Sequence, residues 1–319
     1  MSRRMSVIQQ DGLSSEIRHL KAGKPVMPPP LVLHGAIFGG ILAVSTASIF
    51  IRFAQSDAPS LVIAAFRLCF AALVPLAVAF SRNRKELAGL SFQDMLLGLL
   101  SGIFLALHFA TWISSLEYTS VASSVVLVST TPLWVALAAP LVVQESIGRS
   151  VWIGMGLALA GGILVAVGQH AAPAERTSPL WGNFLAVSGA WAAAGYLLIG
   201  RRLRRRLSLT SYIFIVYSMA ALVLLMFMRV SGLTPLGYSP ATYLWMIALA
   251  MVPQLLGHST FNWALGHLPA SFVSITLLGE PIGSTILAFL VLREIPSAFE
   301  LTGGALILLG IVLSSRQQR

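Results

Sequence analysis

Charge is what this chain has least of. Only 10% of its 319 residues are Asp, Glu, Lys or Arg, against about 25% in an ordinary soluble domain. Acidic residues are the scarcer sign, with 11 Asp and Glu against 21 Lys and Arg. So few charges cannot cover a soluble surface, and 56% hydrophobic residues are too many for a disordered chain. The composition therefore excludes a typical soluble enzyme. It also argues against nucleic acid as a partner, although the net charge is +10. A nucleic-acid binder gathers basic residues on one folded face; here they lie between long apolar runs. A single cysteine, Cys69, permits no internal disulfide and reads as a small core residue.

The first 30 residues lack the apolar stretch of a signal peptide. They carry Arg3, Arg4, Arg18, Lys21 and Lys24, then Pro28, Pro29 and Pro30, which stop a helix before the first apolar segment. Residues 1–30 read as a cytoplasmic tail. Ten apolar segments follow, at 31–53, 59–80, 95–116, 120–142, 151–168, 180–199, 211–230, 241–265, 270–292 and 301–315. Most approach the roughly 20 residues a helix needs to cross a bilayer. They lack the two-residue alternation of a membrane barrel. Backbone groups in lipid must be paired internally, which leaves helices. The expected fold is an all-α integral membrane bundle of ten transmembrane helices.

The basic residues set the expected orientation. With the N-terminus inside, the cytoplasmic side holds the five tail residues, Arg82, Arg84, Lys85, Arg149, Arg201, Arg202, Arg204, Arg205, Arg206, Arg316 and Arg319. The other side holds only Arg52, Arg176 and Arg293. The bias places both termini in the cytoplasm, and the membrane is expected to be the inner, cytoplasmic one.

The two halves also echo each other. Pro132 and Pro281, Glu145 and Glu294, Gly154 and Gly303, and Gly161 and Gly310 all share one offset, 281 − 132 = 149. Each half, 31–168 and 180–315, holds five segments. Because five is odd, the second copy enters the membrane from the opposite side. Two inverted five-helix repeats are an architecture of secondary transporters and give a physical route to alternating access.

Several stretches resemble the drug/metabolite transporter superfamily, specifically its EamA-like ten-span permeases. They are Pro59 to Arg67, Leu116-Glu117-Tyr118-Thr119, Thr131-Pro132 with Glu145, and Glu280-Pro281 with Arg293-Glu294 and Gly303. The resemblance implies export of small metabolites, often amino acids or related compounds, or of drugs. It also implies a basket-like bundle with segments five and ten at its edge. The glycines of those two segments suit either internal packing or a homodimer seam.

Polar groups at membrane depth are costly and become functional candidates by default. Segment eight carries Gln254, His258 and Asn262 four residues apart, on one helical face after Pro253, which should kink the helix. Such a stripe reads equally as a substrate-pathway wall or as interhelical glue. His108 and Trp112 of segment three offer hydrogen bonds and an aromatic surface to an amphipathic solute; Trp112 also reads as an interfacial anchor. Arg67 is a candidate for a substrate carboxylate, or for structural pairing. Trp191, with Asn183, Ser188 and Tyr196, is a pathway candidate on segment six. Glu280, beside Pro281, is the proton-coupling candidate; its competing role is to bridge a broken helix or to balance Arg67. Pro132, Pro253 and Pro281 are hinge candidates. Glu145 and Glu294 read as helix-start residues facing the dipole of the next helix.

An intramembrane enzyme would need a nucleophile and base, paired acids or a metal-binding helix. None of these motifs is present, nor is a phosphate-binding loop. The sequence reading is therefore a carrier with no cofactor and no metal. Its expected partners are a small-molecule substrate, the lipid bilayer and, as coupling ion, protons. The alternatives are an intramembrane enzyme and a non-transporting scaffold.

Overall fold

The computed structural model describes residues 28–143, 149–168 and 178–315. Glu145, Arg176, Arg316, Arg319 and the basic residues of the tail lie outside them. Among the described residues, eight helical segments are long and apolar enough to cross a membrane. These are Pro30–Gln55, Ser60–Arg82, Phe92–Tyr118, Val121–Ala138, Pro179–Arg204, Leu209–Val230, Pro240–Ala264 and Ala270–Leu292. Two shorter apolar stretches, Trp152–Val165 and Ala298–Gly310, stand where the fifth and tenth segments were expected. They belong to the helices Arg149–Gly168 and Ala298–Ser315. The ten helical segments are numbered in chain order as spans one to ten, these two being five and ten; the number marks position in the chain only.

Local chemistry sets the helix starts. Proline, which needs no hydrogen bond in the first turn, opens spans one, six and eight at Pro30, Pro179 and Pro240. Serine hydroxyls cap spans three, four and seven, and span eight together with its proline: Ser91 accepts from the Asp94 N–H, Ser120 from Ser123, Ser208 from Ser211 and Ser239 from Thr242. At span ten Ser297 and Glu300 form a reciprocal box. The Ser297 N–H donates to Glu300 and the Glu300 N–H donates to Ser297.

Spans four and nine are each broken in the same place. Span four runs Val121–Val128, breaks, and resumes at Thr131; span nine runs Ala270–Thr276, breaks, and resumes at Gly279. Their starts keep the sequence offset, 270 − 121 = 149. The cause in span four is Pro132, which has no N–H for the carbonyl of Val128. The Thr131 hydroxyl takes that carbonyl instead, at 2.8 Å, while Ser129 and Thr130 turn back onto Val125 and Leu127. In span eight the proline effect takes another form. Pro253 lies inside a widened π-helical stretch, Ala250–His258, a register change frequent at functional sites.

Spans five and ten touch through glycine. A Cβ placed on Gly161 would stand 2.5 Å from the carbonyl oxygen of Gly303, and one on Gly303 would stand 2.6 Å from that of Gly161. Gly310 meets the carbonyl of Gly154 more closely still. Rising residue numbers in one helix thus meet falling numbers in the other, so the pair crosses antiparallel. Around this crossing Val126, Leu127, Leu133, Ala158, Val165, Ala186 and Ile307 form a small core of their own, separate from the main one.

Polar contacts gather at two opposite ends of the bundle. At one end Arg52 donates to the carbonyls of Leu116 and Thr119 and pairs with Glu294 at 3.3 Å. Glu294 also accepts from the Val121 N–H at 3.0 Å, so it does meet a helix start. That helix is span four rather than the next one in sequence, because the loop after span nine folds back over it. Asp57 joins this end to span eight through the Ser239 N–H and the Thr242 hydroxyl, both at 2.7 Å. At the other end Glu86 accepts from Asn83, Ser208 and Ser211. Burial alone would raise the Glu86 carboxyl, but these hydrogen bonds outweigh it and hold the group below the usual carboxylate range.

Candidate functional site

Between these ends the main core holds a cavity, and its walls come from both halves of the chain. His108 and Trp112 of span three, Ser129, Thr131 and Pro132 of span four and Tyr196 of span six form part of it. His258 and Phe261 of span eight, with Ser274 and Glu280 of span nine, complete the polar and aromatic lining. About 50 Å³ is open to the centres of water-sized spheres. That admits a few water molecules, so an amino-acid-sized solute needs a wider conformation.

The aromatic wall is ordered by stacking. The His108 ring lies nearly parallel to the Trp112 ring, with centroids 5.8 Å apart. His258 approaches Phe109 edge-on at 5.3 Å and His108 at 6.3 Å. The Nδ1 of His108 is 3.0 Å from the carbonyl oxygen of Gly189. A carbonyl only accepts, so Nδ1 carries the proton in a neutral ring and Nε2 is left as the acceptor.

A buried polar layer lies behind that wall. Arg67 sits seven residues into span two, about 11 Å along the helix, and is fully buried. Its guanidinium lies over the Phe109 ring, 4.0 Å from the centroid, a cation–π contact that partly replaces water. Its Nε donates to Oε1 of Gln254 at 3.0 Å. From there a chain of hydrogen bonds crosses three spans. Tyr196 donates to Asn262, Asn262 donates to the Tyr217 hydroxyl at 3.2 Å, and Tyr217 pairs with Ser259 at 3.1 Å. The expected stripe on span eight is thereby divided: His258 faces the cavity, whereas Gln254 and Asn262 face neighbouring helices.

The layer is rich in unused donors. Nη1 and Nη2 of Arg67, Nε1 of Trp112 and Nε2 of Gln254 are buried without a hydrogen-bond partner among the described residues. Each such group costs about 1–3 kcal/mol, and more when charged. Glu280 stands on the opposite account. It lines the cavity, its charge attracts that of Arg67, and among the described residues no side chain hydrogen-bonds its carboxylate. Of the residues that carry these donors only Trp112 lines the cavity; Arg67 and Gln254 lie behind its wall, while the lone carboxylate of Glu280 belongs to the lining.

Not every sequence candidate gathers here. Trp191 is 49% exposed and packs edge-on against Trp134 at 5.1 Å, away from the cavity. Ser188 bonds back to the Phe184 carbonyl on the same outer face. Asn183 lines a different, apolar space. Pro253 and Pro281 are buried in their helices and do not line the cavity. Conversely, Phe109, Tyr217 and Ser259 were not singled out from sequence. Tyr217 and Ser259 carry a signal as polar groups within apolar segments seven and eight. Among the described residues no group of three or more His, Cys, Asp and Glu is arranged to hold a metal ion.

Known proteins resemble the chain along most of its length. The model of the EamA-like transporter family matches residues 33–167 and again residues 180–316. An uncharacterized transporter of Archaeoglobus fulgidus is 24% identical over 275 residues, covering 85% of this chain and 92% of that protein. The uncharacterized transporter YyaM of Bacillus subtilis is 25% identical over 261 residues, or 79% and 83% of the two chains. A crystal structure shares the fold with a TM-score of 0.62 at 18% identity, covering 88% of this chain and 96% of the other.

Proposed function

Because the chain belongs to the EamA-like transporter family and is an integral membrane transporter, we propose that it is a secondary carrier for a small zwitterionic metabolite, an amino acid or close relative. The observation that carries this reading is the pairing of unused donors with an unbonded carboxylate. A substrate carboxylate would take the N–H groups of Arg67 and Trp112, and a substrate ammonium would sit against Glu280. Both ends of such a molecule need partners at membrane depth, because each charge is costly there without one.

The carrier cycle we infer is alternating access between ten spans arranged as two inverted repeats, residues 31–168 and 180–315. The constant offset of the broken spans and the antiparallel crossing of spans five and ten support it. The breaks at Pro132 and Pro281 supply the hinges. The arginine-rich end faces the cytoplasm in this reading, following the bias of basic residues, and transport runs outward, as in the family it resembles. Glu280 accepts a proton once the substrate ammonium has left it, which couples the return step to the proton gradient.

Counterflow in proteoliposomes tests the reading. Vesicles preloaded with one unlabelled amino acid should accumulate the same amino acid in labelled form, and Arg67→Gln should abolish the accumulation. A folded wild-type protein that shows no counterflow with any amino acid or related zwitterion would overturn the substrate assignment.

A further inference from the structure

A second cavity opens to the surface between spans four, five and six. Its volume is about 740 Å³, within the range of ligand pockets. Leu133 and Trp134 of span four, Leu159 and Ile163 of span five, and Phe184 and Val187 of span six wall it. It exists because span five leans on span ten through their glycines and stands off from spans four and six. In an integral membrane protein the medium at such an opening is lipid. Leu159, Ile163 and Phe184 are each more than half exposed there.

One polar residue breaks the apolar lining in a telling way. Asn183 is 7% exposed and its Nδ2 has no hydrogen-bond partner among the described residues. Its Oδ1 accepts from the Thr119 hydroxyl at 3.1 Å, which fixes the amide. Asn183 lies four residues into span six, about 6 Å from the helix start. That is the depth at which the polar interface of a bilayer gives way to hydrocarbon. An unpaired donor in the lining of an apolar crevice suits an acceptor carried next to an apolar chain, and the ester carbonyl that joins an acyl chain to glycerol is such a group.

We propose that this crevice binds one diacyl phospholipid, with an acyl chain along spans four to six and an ester carbonyl accepting from Asn183. The site bears on the hinge of span four. Thr130 faces the crevice while its neighbours Ser129 and Thr131 face the central cavity. A lipid seated here therefore touches the backbone break through which the two cavities are separated.

Two glycines allow a clean test. A Cβ on Gly156 would meet nothing within 4 Å, and one on Gly162 would meet only a Leu127 methyl at 3.8 Å. Both line the crevice, so a G156L/G162L variant places two apolar side chains in it from positions where a Cβ fits without a clash. Native mass spectrometry of the detergent-purified chain would count bound lipid during titration with a palmitoyl-oleoyl diester phosphatidylethanolamine and with its diether analogue, which lacks both carbonyls. The wild type should bind one diester lipid about fivefold more tightly than the diether, the size of one hydrogen bond. Asn183→Ala should erase that preference, and G156L/G162L should lose the bound lipid of either kind. Equal binding of the two lipids by the wild type, or undiminished binding by a folded G156L/G162L variant, would overturn the proposal.

Discussion

Arg52 and Glu294 lie 242 positions apart in sequence (294 − 52 = 242) and form an ion pair at 3.3 Å. The pair ties the end of span one to the loop after span nine, and so joins the two halves at one end of the bundle. Glu294 also holds the first N–H of span four. The expected result is a graded loss of stability. Glu294→Gln keeps an acceptor for Val121 and removes only a partly exposed charge pair, costing about 0–1 kcal/mol. Glu294→Ala removes both and should cost about 1 kcal/mol more. Thermal melting in detergent would order wild type, Gln and Ala, and an Ala variant no weaker than Gln would show that the Val121 contact contributes nothing.

The glycine crossing of spans five and ten leaves no room for a side chain. Gly303→Ala would drive a methyl group into the Gly161 carbonyl and the Val165 side chain, and should cost about 1–3 kcal/mol. Gly156→Ala, on span five and five residues before Gly161, meets nothing within 4 Å and should leave the melting temperature within error or raise it slightly, since alanine favours helix over glycine. Equal melting of the two variants would show that the seam tolerates expansion.

Glu280→Gln tests the proposed energy coupling apart from binding. Glu280→Gln keeps the shape of the side chain and a hydrogen-bonding oxygen but cannot exchange a proton at any working pH. Counterflow should persist with weakened affinity, while accumulation driven by an imposed pH gradient should disappear. A variant that still responds fully to the gradient would remove Glu280 from the coupling step.

Glu86 gives the acid limb of stability at the arginine-rich end. Its hydrogen bonds hold the folded carboxyl below its unfolded value, which is about 4.3. The folded state therefore binds its proton later than the unfolded state does. The stabilisation is complete well above pH 4.3 and is lost as pH falls through the folded value. Melting followed from pH 6 down to pH 3 should fall more steeply for wild type than for Glu86→Gln. Parallel curves would show that the serine cluster does not act through the charge.

Much of this architecture is written in single residues. Prolines 132 and 281 marked the broken spans, because a missing N–H has the same consequence wherever it falls. Glycines 154, 161, 303 and 310 marked a close contact, although only the coordinates show that they meet each other. His108, Trp112, His258 and Glu280, which line the cavity, stand out in the sequence as candidates for the pathway or for proton coupling because lipid makes any polar group at depth conspicuous. Trp191 shows where that logic stops. A soluble helix announces its buried face by contrast with water, but hydrocarbon outside is as apolar as the core inside. Nothing in the apolar pattern of span six says which way Trp191 or Asn183 turns. Phe109 was invisible for the same reason, and its place beneath Arg67 depends on a crossing of spans two and three that no local pattern encodes.

The glycine seam carries one further consequence. Gly154 and Gly303 are repeat partners, as are Gly161 and Gly310, and each meets the other's counterpart: 154 with 310, 161 with 303. The contact therefore maps onto itself when the halves trade places. In a cycle where each half adopts in turn the shape the other has just left, every asymmetric contact must be broken and remade. This one asks for no change at all, so in the alternating-access cycle proposed above the crossing of spans five and ten would be the stationary fulcrum about which the remaining helices rock.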